Sequence, residues 1–237
     1  MLFLALPCGA DPWPLFEAAR DGQVQKVEEL LKGGAAVDEP FCGLTPLQAA
    51  VTANQAGTAA VLLRYKADTE VGSVEGKTPL MESAFAGRVE LVRLLLQAGA
   101  RPNVRALDGN TALAYSVLGQ GSLPVIELLL KAGAEPNMGT FEKTFPLHVA
   151  AVMATPDLVA ALLDARAKID VANKDGLTPL MLAAAGGKTD TVRLLLSRGA
   201  ARDLRDSNGR TALDYASEGG HEPIRQMLSQ ERAGLTR

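Results

Sequence analysis

The stretch LTPLMLAAAGGKTDTVRLLLSRGA, Leu177 to Ala200, decides how this chain is read. Its centre, Gly187-Lys188-Thr189, spells the end of a phosphate-binding loop, whose backbone amides curl around the phosphates of a nucleotide. That loop needs a glycine five positions before the one preceding the lysine, and the position holds Leu182. The loop also follows a strand, whereas Pro179 to Ala185 is rich in alanine and leucine and favours helix. The nucleotide reading is the weaker one, so another rule has to place these glycines.

Self-comparison supplies it. The same pattern returns as KTPLMESAFAGRVELVRLLLQAGA from Lys77 to Ala100, and anchoring leucines fall at Leu15, Leu47, Leu80, Leu113, Leu147, Leu180 and Leu213, spaced by 32, 33, 33, 34, 33 and 33 residues. In the Thr-Pro-Leu groups at Thr45, Thr78 and Thr178 the threonine caps a helix, and proline takes the first helical position, where its missing N–H costs nothing. Gly22, Asn54, Gly87, Gly187 and Gly220 follow the alanine-rich turns, where a left-handed residue ends the helix and turns the chain. A second helix follows with an apolar trio, Leu94-Leu95-Leu96 or Leu194-Leu195-Leu196, ending near Gly99, Gly133 or Gly199. Gly187-Lys188-Thr189 is then the turn between two helices of one unit.

A 33-residue period carrying Thr-Pro-Leu, alanines, a leucine trio and Gly-Ala resembles the ankyrin repeat family, whose signature includes Thr-Pro-Leu-His-x-Ala. The resemblance implies a mainly α solenoid of about seven helix-turn-helix units with projecting β-hairpin fingers. It also implies a concave binding surface made by fingers and first helices. On this reading residues 12–232 form one repeat array: an amino-terminal cap over 12–40, internal repeats over 41–205 and a carboxy-terminal cap over 206–232, with a tail at 233–237. Gly109 and Gly176 supply positive φ in the finger turns. The fifth unit has Lys143 in the glycine position and Phe145 in the threonine position, which predicts a distorted finger. The fourth carries one extra residue, lengthening its inter-helix turn over Gly119 to Ser122; this Gly-x-Gly lacks the third glycine of a dinucleotide site and reads as a loop.

Bulk properties exclude several function classes. A net charge of −3 over 237 residues gives no electrostatic reason to approach nucleic acid or an anionic membrane. No apolar run approaches the roughly 20 residues of a membrane-spanning helix, so no membrane insertion is expected. Two cysteines, Cys8 and Cys42, and two histidines, His148 and His221, make neither a disulfide framework nor a zinc site at recognised spacings. His221-Glu222 lacks the second histidine of a zinc-protease helix. The amino-terminal LFLALP with Cys8-Gly9-Ala10 reads in two ways: as the remnant of a signal peptide over residues 1–11, or as part of the first cap. The first places the protein in the periplasm or outside the cell, with a mature chain starting near Asp11 and Cys42 as its one thiol; the second leaves it in the cytoplasm.

No catalytic, cofactor-binding or metal-binding residues stand out, and the expected partner is another protein bound by a monomer. The family pattern assigns structural positions, and the remainder faces out. Those outward positions give an apolar series: Phe41 and Leu44, Val74 and Phe85, Leu107 and Leu118, Phe141, Val152 and Met153, and Leu177. A contiguous exposed patch of this kind marks an interaction site. With no second module in view, the expected action is occupancy, inhibiting, sheltering or positioning one partner such as an enzyme. The alternatives are a scaffold bridging two proteins and, more remotely, a nucleotide-responsive protein.

Overall fold

The computed structural model describes residues 13–153 and 155–229. The amino-terminal run and the tail lie outside the described residues. Fourteen helices occur among the described residues: α1 Pro14–Arg20, α2 Val24–Lys32, α3 Pro46–Thr52, α4 Ala56–Arg64, α5 Pro79–Phe85, α6 Val89–Gln97, α7 Ala112–Leu118, α8 Leu123–Lys131, α9 Pro146–Met153, α10 Pro156–Asp164, α11 Pro179–Ala185, α12 Thr189–Ser197, α13 Ala212–Glu218 and α14 Glu222–Ser229. The odd-numbered helices stack neighbour on neighbour in one layer and the even-numbered helices in a second. Helices of seven to nine residues are too short to persist alone, so each depends on its neighbours.

The starts follow from the sequence. The hydroxyls of Thr45, Thr78, Thr111, Thr178 and Thr211 each accept the backbone N–H three residues on. At Thr45 the cap is reciprocal, since Gln48 Oε1 accepts the Thr45 N–H at 2.7 Å. Left-handed residues follow α1, α3, α5, α11 and α13 as the pattern requires, with Gly187 at φ 65° between α11 and α12. A methyl group there would also lie 2.6 Å from the His221 imidazole, so two constraints hold this glycine. Lys188 is the N-cap of α12, and a helix precedes the turn rather than a strand.

One continuous apolar core runs between the layers from Leu15 to Leu228. Six of the anchoring leucines are buried, and Leu213 in the last unit is half-buried. Within the trios only the central residues, Leu95 and Leu195, are fully buried; those on either side are partly covered.

The second helices end on left-handed residues too, but two of these are not glycine. Lys66 and Arg166 both have φ 67°. A side chain there costs about 1–2 kcal/mol, against roughly 0.5–1 kcal/mol of extra unfolded-state entropy for glycine. Arg166→Gly is therefore expected to raise stability by about 0.5–1 kcal/mol in urea unfolding. A loss of stability would show that the exposed arginine contributes more than its strain.

The fingers are tighter than the expected β-hairpins. Among the described residues the one β-bridge pairs Phe41 with Leu44, and every other finger is a closed turn. Ser73 N–H donates to Lys77 O, Ala106 N–H to Asn110 O, and Asn173 N–H to Leu177 O, at 2.9–3.0 Å. The fifth finger, expected to be distorted, closes in the same way, with Thr140 N–H on Thr144 O at 2.9 Å and Lys143 N–H on Thr140 O at 2.9 Å. Lys143 simply adopts the left-handed conformation, at φ 55°.

The longer turn of the fourth unit is held by a close approach. Gly119 sits at φ −88°, ψ −120°, and an added Cβ would lie 1.9 Å from the carbonyl oxygen of Phe85. That oxygen accepts the Gln120 N–H at 3.0 Å. Gly119→Ala must push two backbones apart, at a cost of about 1–3 kcal/mol. A melting curve matching the parent's would mean the turn can move freely away from α5.

Candidate functional site

Three fingertips carry exposed apolar side chains at one structural position, two residues before the turn residue. These are Val74, Leu107 and Phe141, with 95%, 73% and 78% of their surface exposed. They form a strip rather than separate points. A methyl added to Gly76 would come within 3.3 Å of Leu107 Cγ, and one added to Gly109 within 3.3 Å of Phe141 Cδ2. Leu107 and Phe141 thus each rest on the glycine of the finger before. Backbone bonds fix the spacing, with Leu107 N–H donating to Glu75 O at 3.1 Å and Lys174 N–H to Glu142 O at 3.3 Å.

The strip has two ends. Towards the amino terminus the corresponding residue is Phe41, which is half-buried, its ring 5.1 Å from that of Phe16 and 6.3 Å from that of Trp13. Towards the carboxy terminus the position changes to Lys174 and Ser207. The unbroken apolar stretch is confined to the third, fourth and fifth fingers.

A second apolar column lies at the ends of the first helices. Phe85 closes α5 and is half exposed, while Val152 and Met153 close α9 and are exposed. The other expected members are less open. Leu118 and Leu177 pack against the core, and Leu44 is half-buried in its bridge with Phe41. The structure therefore leaves six of the ten expected residues exposed: Val74, Phe85, Leu107, Phe141, Val152 and Met153. It turns Phe41, Leu44, Leu118 and Leu177 at least partly inward, because each has an apolar neighbour within its own or the adjoining unit.

Tyr115 on α7, which the sequence reading did not select, connects the two columns. Phe85 meets its ring edge-on, with centroids 6.4 Å apart, and Lys77 Nζ lies 5.3 Å from the ring centroid. The Tyr115 hydroxyl donates to Asp108 Oδ2 at 2.6 Å, and Lys77 pairs with Glu75 at 2.5 Å. Burial opposes the charge on Asp108, but hydrogen bonds from Tyr115 and Asn110 outweigh it and hold the carboxyl below its usual range. Burial, followed by the bond to Asp108, drives the Tyr115 phenol well above its ordinary value. At neutral pH the pair is an ionised carboxylate and a neutral phenol, a fixed donor–acceptor arrangement. Nearby, burial raises Glu82 above its ordinary value, although the Thr52 hydroxyl donates to it at 3.2 Å. Glu142 and Lys174 pair across the fifth and sixth fingers, so the rim carries both signs.

Among the described residues no three His, Cys, Asp or Glu side chains gather as metal ligands, and no helix is long and apolar enough to cross a membrane. A hollow of about 170 Å³ lies at the amino-terminal end, lined by residues including Trp13, Phe16 and Leu30, away from the exposed strip. The arrangement offers apolar surface with a charged rim, which suits a polypeptide.

Comparison with known proteins agrees with this architecture. A family model described as ankyrin repeats (3 copies) matches residues 15–106, 75–140, 89–172 and 147–236. The chain is 38% identical over 96 residues to ankyrin repeat protein nuc-2 of Neurospora crassa, a match covering 40% of this chain and 9% of that protein. It is 38% identical over 79 residues to the 2-5A-dependent ribonuclease of Homo sapiens, covering 32% of this chain and 11% of that enzyme. The chain thus spans about a tenth of the length of these relatives. Among solved structures, the ankyrin repeat domain of Bcl-3, described as a member of the IkappaB protein family, superposes with a TM-score of 0.81 at 24% identity. That match covers 92% of this chain and all of the other. With matched segments running from Leu15 to Gln230 and beyond, and paired helices repeating through the described residues, this chain belongs to the ankyrin repeat family, a fold that serves as a protein–protein interaction module.

Proposed function

We propose that this protein binds one partner protein through the face made by its third to fifth fingers and the ends of α5 and α9, and acts by occupying that partner. The observation that carries the reading is the row of Val74, Leu107 and Phe141, because exposed apolar side chains on three successive fingers are uncommon on a surface with no partner. Phe85, Val152 and Met153 extend it towards the first helices. The paired rim charges Glu75–Lys77 and Glu142–Lys174 would fix orientation more than affinity. Inhibiting, sheltering or positioning an enzyme are all consistent with binding of this kind. The negative net charge supports a protein rather than a nucleic acid as the ligand.

The test compares partner capture by the immobilised parent and by a Phe141→Asp protein. Cross-linking then locates the contact. A polypeptide held by the parent, cross-linked near Val74 to Phe141 and lost from the variant supports the proposal. Equal retention by both proteins places the binding surface elsewhere.

A further inference from the structure

The fifth unit is capped differently from its neighbours. The first helices α3, α5, α7, α11 and α13 begin with a threonine hydroxyl accepting a backbone N–H, but α9 begins after Phe145, which has no hydroxyl. His148 takes over. Its Nδ1 accepts the Phe145 N–H at 3.1 Å, and its Nε2 lies 3.0 Å from both the Val171 and Leu177 carbonyl oxygens. An amide N–H can only donate and a carbonyl can only accept, so the neighbours fix the neutral form with its proton on Nε2. The ring is almost fully buried.

We propose that His148 is a pH-sensitive latch: its neutral imidazole, anchored on the Val171 and Leu177 carbonyls through Nε2–H, fastens the start of α9 through Nδ1, and protonation releases that start. A second proton must sit on Nδ1, where it would face the Phe145 N–H and remove that hydrogen bond. Phe145 carries the disturbance to the finger. Its ring lies 5.7 Å from the imidazole and packs against Gly139, whose added Cβ would lie 2.8 Å from that ring. Thr140 to Thr144, the turn presenting Phe141, follows directly.

Little in the surroundings could rescue an imidazolium. Burial is the leading influence and lowers its proton affinity below the ordinary 6.5; the Leu177 and Val171 carbonyls oppose this. No charged side chain from α7, α10, α11 or the sixth finger contributes. The unfolded chain therefore takes the proton first. Stability from the latch is complete above about pH 6.5 and falls as pH drops below that value towards the folded one. Corresponding positions in other units hold Gln48, Met81, Ala114, Met181 and Asp214, none of which titrates near neutrality in its ordinary range. The response is therefore local to the fifth unit.

An effect on partner binding rests on the proposed face, whereas the latch can be tested without a partner. Hydrogen exchange is measured on the free, full chain at about pH 7.5 and about pH 5.5, corrected for intrinsic exchange, for the parent and for His148→Gln. Glutamine suits the site because Gln48 accepts the Thr45 N–H in the same way, and His221 remains in both proteins. In the parent, amides in 140–153 should lose about tenfold protection on acidification relative to those in α3 to α6, as expected for one buried hydrogen bond. His148→Gln should lose none of it. Equal loss throughout the described units, or the same local loss in the variant, overturns the latch. Should the variant not fold, NMR of the parent decides: the His148 ring and the Phe145 amide must shift together with a midpoint below 6.5, and a Phe145 amide indifferent to that titration refutes the proposal.

Discussion

Truncating Leu95 to alanine is expected to lower the unfolding free energy by about 2 to 5 kcal/mol. Leu95 is fully buried on α6, which packs against α5 of its own unit and against α4 and α8 on either side. The truncation removes apolar burial and leaves a cavity that rigid neighbours cannot close. Because short helices are stable only as a stack, a defect in an interior unit weakens two interfaces at once. The expected reading is a fall of several degrees to well over ten in the melting temperature, with a parallel drop in the urea midpoint. Leu94 and Leu96 are only partly buried, so the same truncation there should cost less. Three equal losses, or a Leu95→Ala cost under 1 kcal/mol, would contradict the position of the core.

The features legible in the sequence are those with local causes. Thr-Pro at a helix start, a left-handed residue at its end and a leucine every 33 residues each act within a few positions, and the structure places all of them as read. The misread features depend on partners that the repeat pattern does not name, some of them in a neighbouring unit. Leu118 and Leu177 look outward by their place in the unit, but they pack against the shared core. The fifth finger kept its closure because Lys143 tolerates positive φ and because His148, rather than a hydroxyl, caps α9. A row of side chains tying the units together was not foreseen at all. Asn103 Oδ1 accepts the Glu135 N–H at 2.9 Å, Asn137 Oδ1 the Lys168 N–H at 2.8 Å, and Asp170 Oδ1 the Ala201 N–H at 3.0 Å. Each recurs at nearly the same place in its unit, but a short polar residue before a turn carries no sign of a partner in the next unit. The candidate site is intermediate. Its fingertip members follow from register, whereas Tyr115 could be found only once Phe85, Lys77 and Asp108 had been brought around it.

Changing Phe141 to aspartate separates folding from binding more cleanly than any other substitution in the strip. The side chain is 78% exposed, its finger is closed by backbone bonds, and its principal support is the surface of Gly109. Removing it should move stability by no more than about 0.5 kcal/mol. Phe85 is a poorer probe, since its ring also meets Tyr115 and its loss would disturb the node formed with Lys77 and Asp108. In a complex seated on the strip, however, Phe141 is the largest apolar side chain in the row. Placing a carboxylate in that desolvated contact should cost about 2 kcal/mol or more, a loss of affinity of at least about twentyfold. The expected result is a parent-like melting curve together with an increase of that size in the partner's dissociation constant. Val74→Asp, at the far end of the strip, should behave likewise if the partner spans all three fingers, and should bind normally if it contacts only the fifth unit. A melting drop comparable to that of Leu95→Ala would make Phe141 a structural residue. Unchanged affinity in a normally folded Phe141→Asp protein would remove the strip from the interface and leave the other faces of the repeats to account for binding.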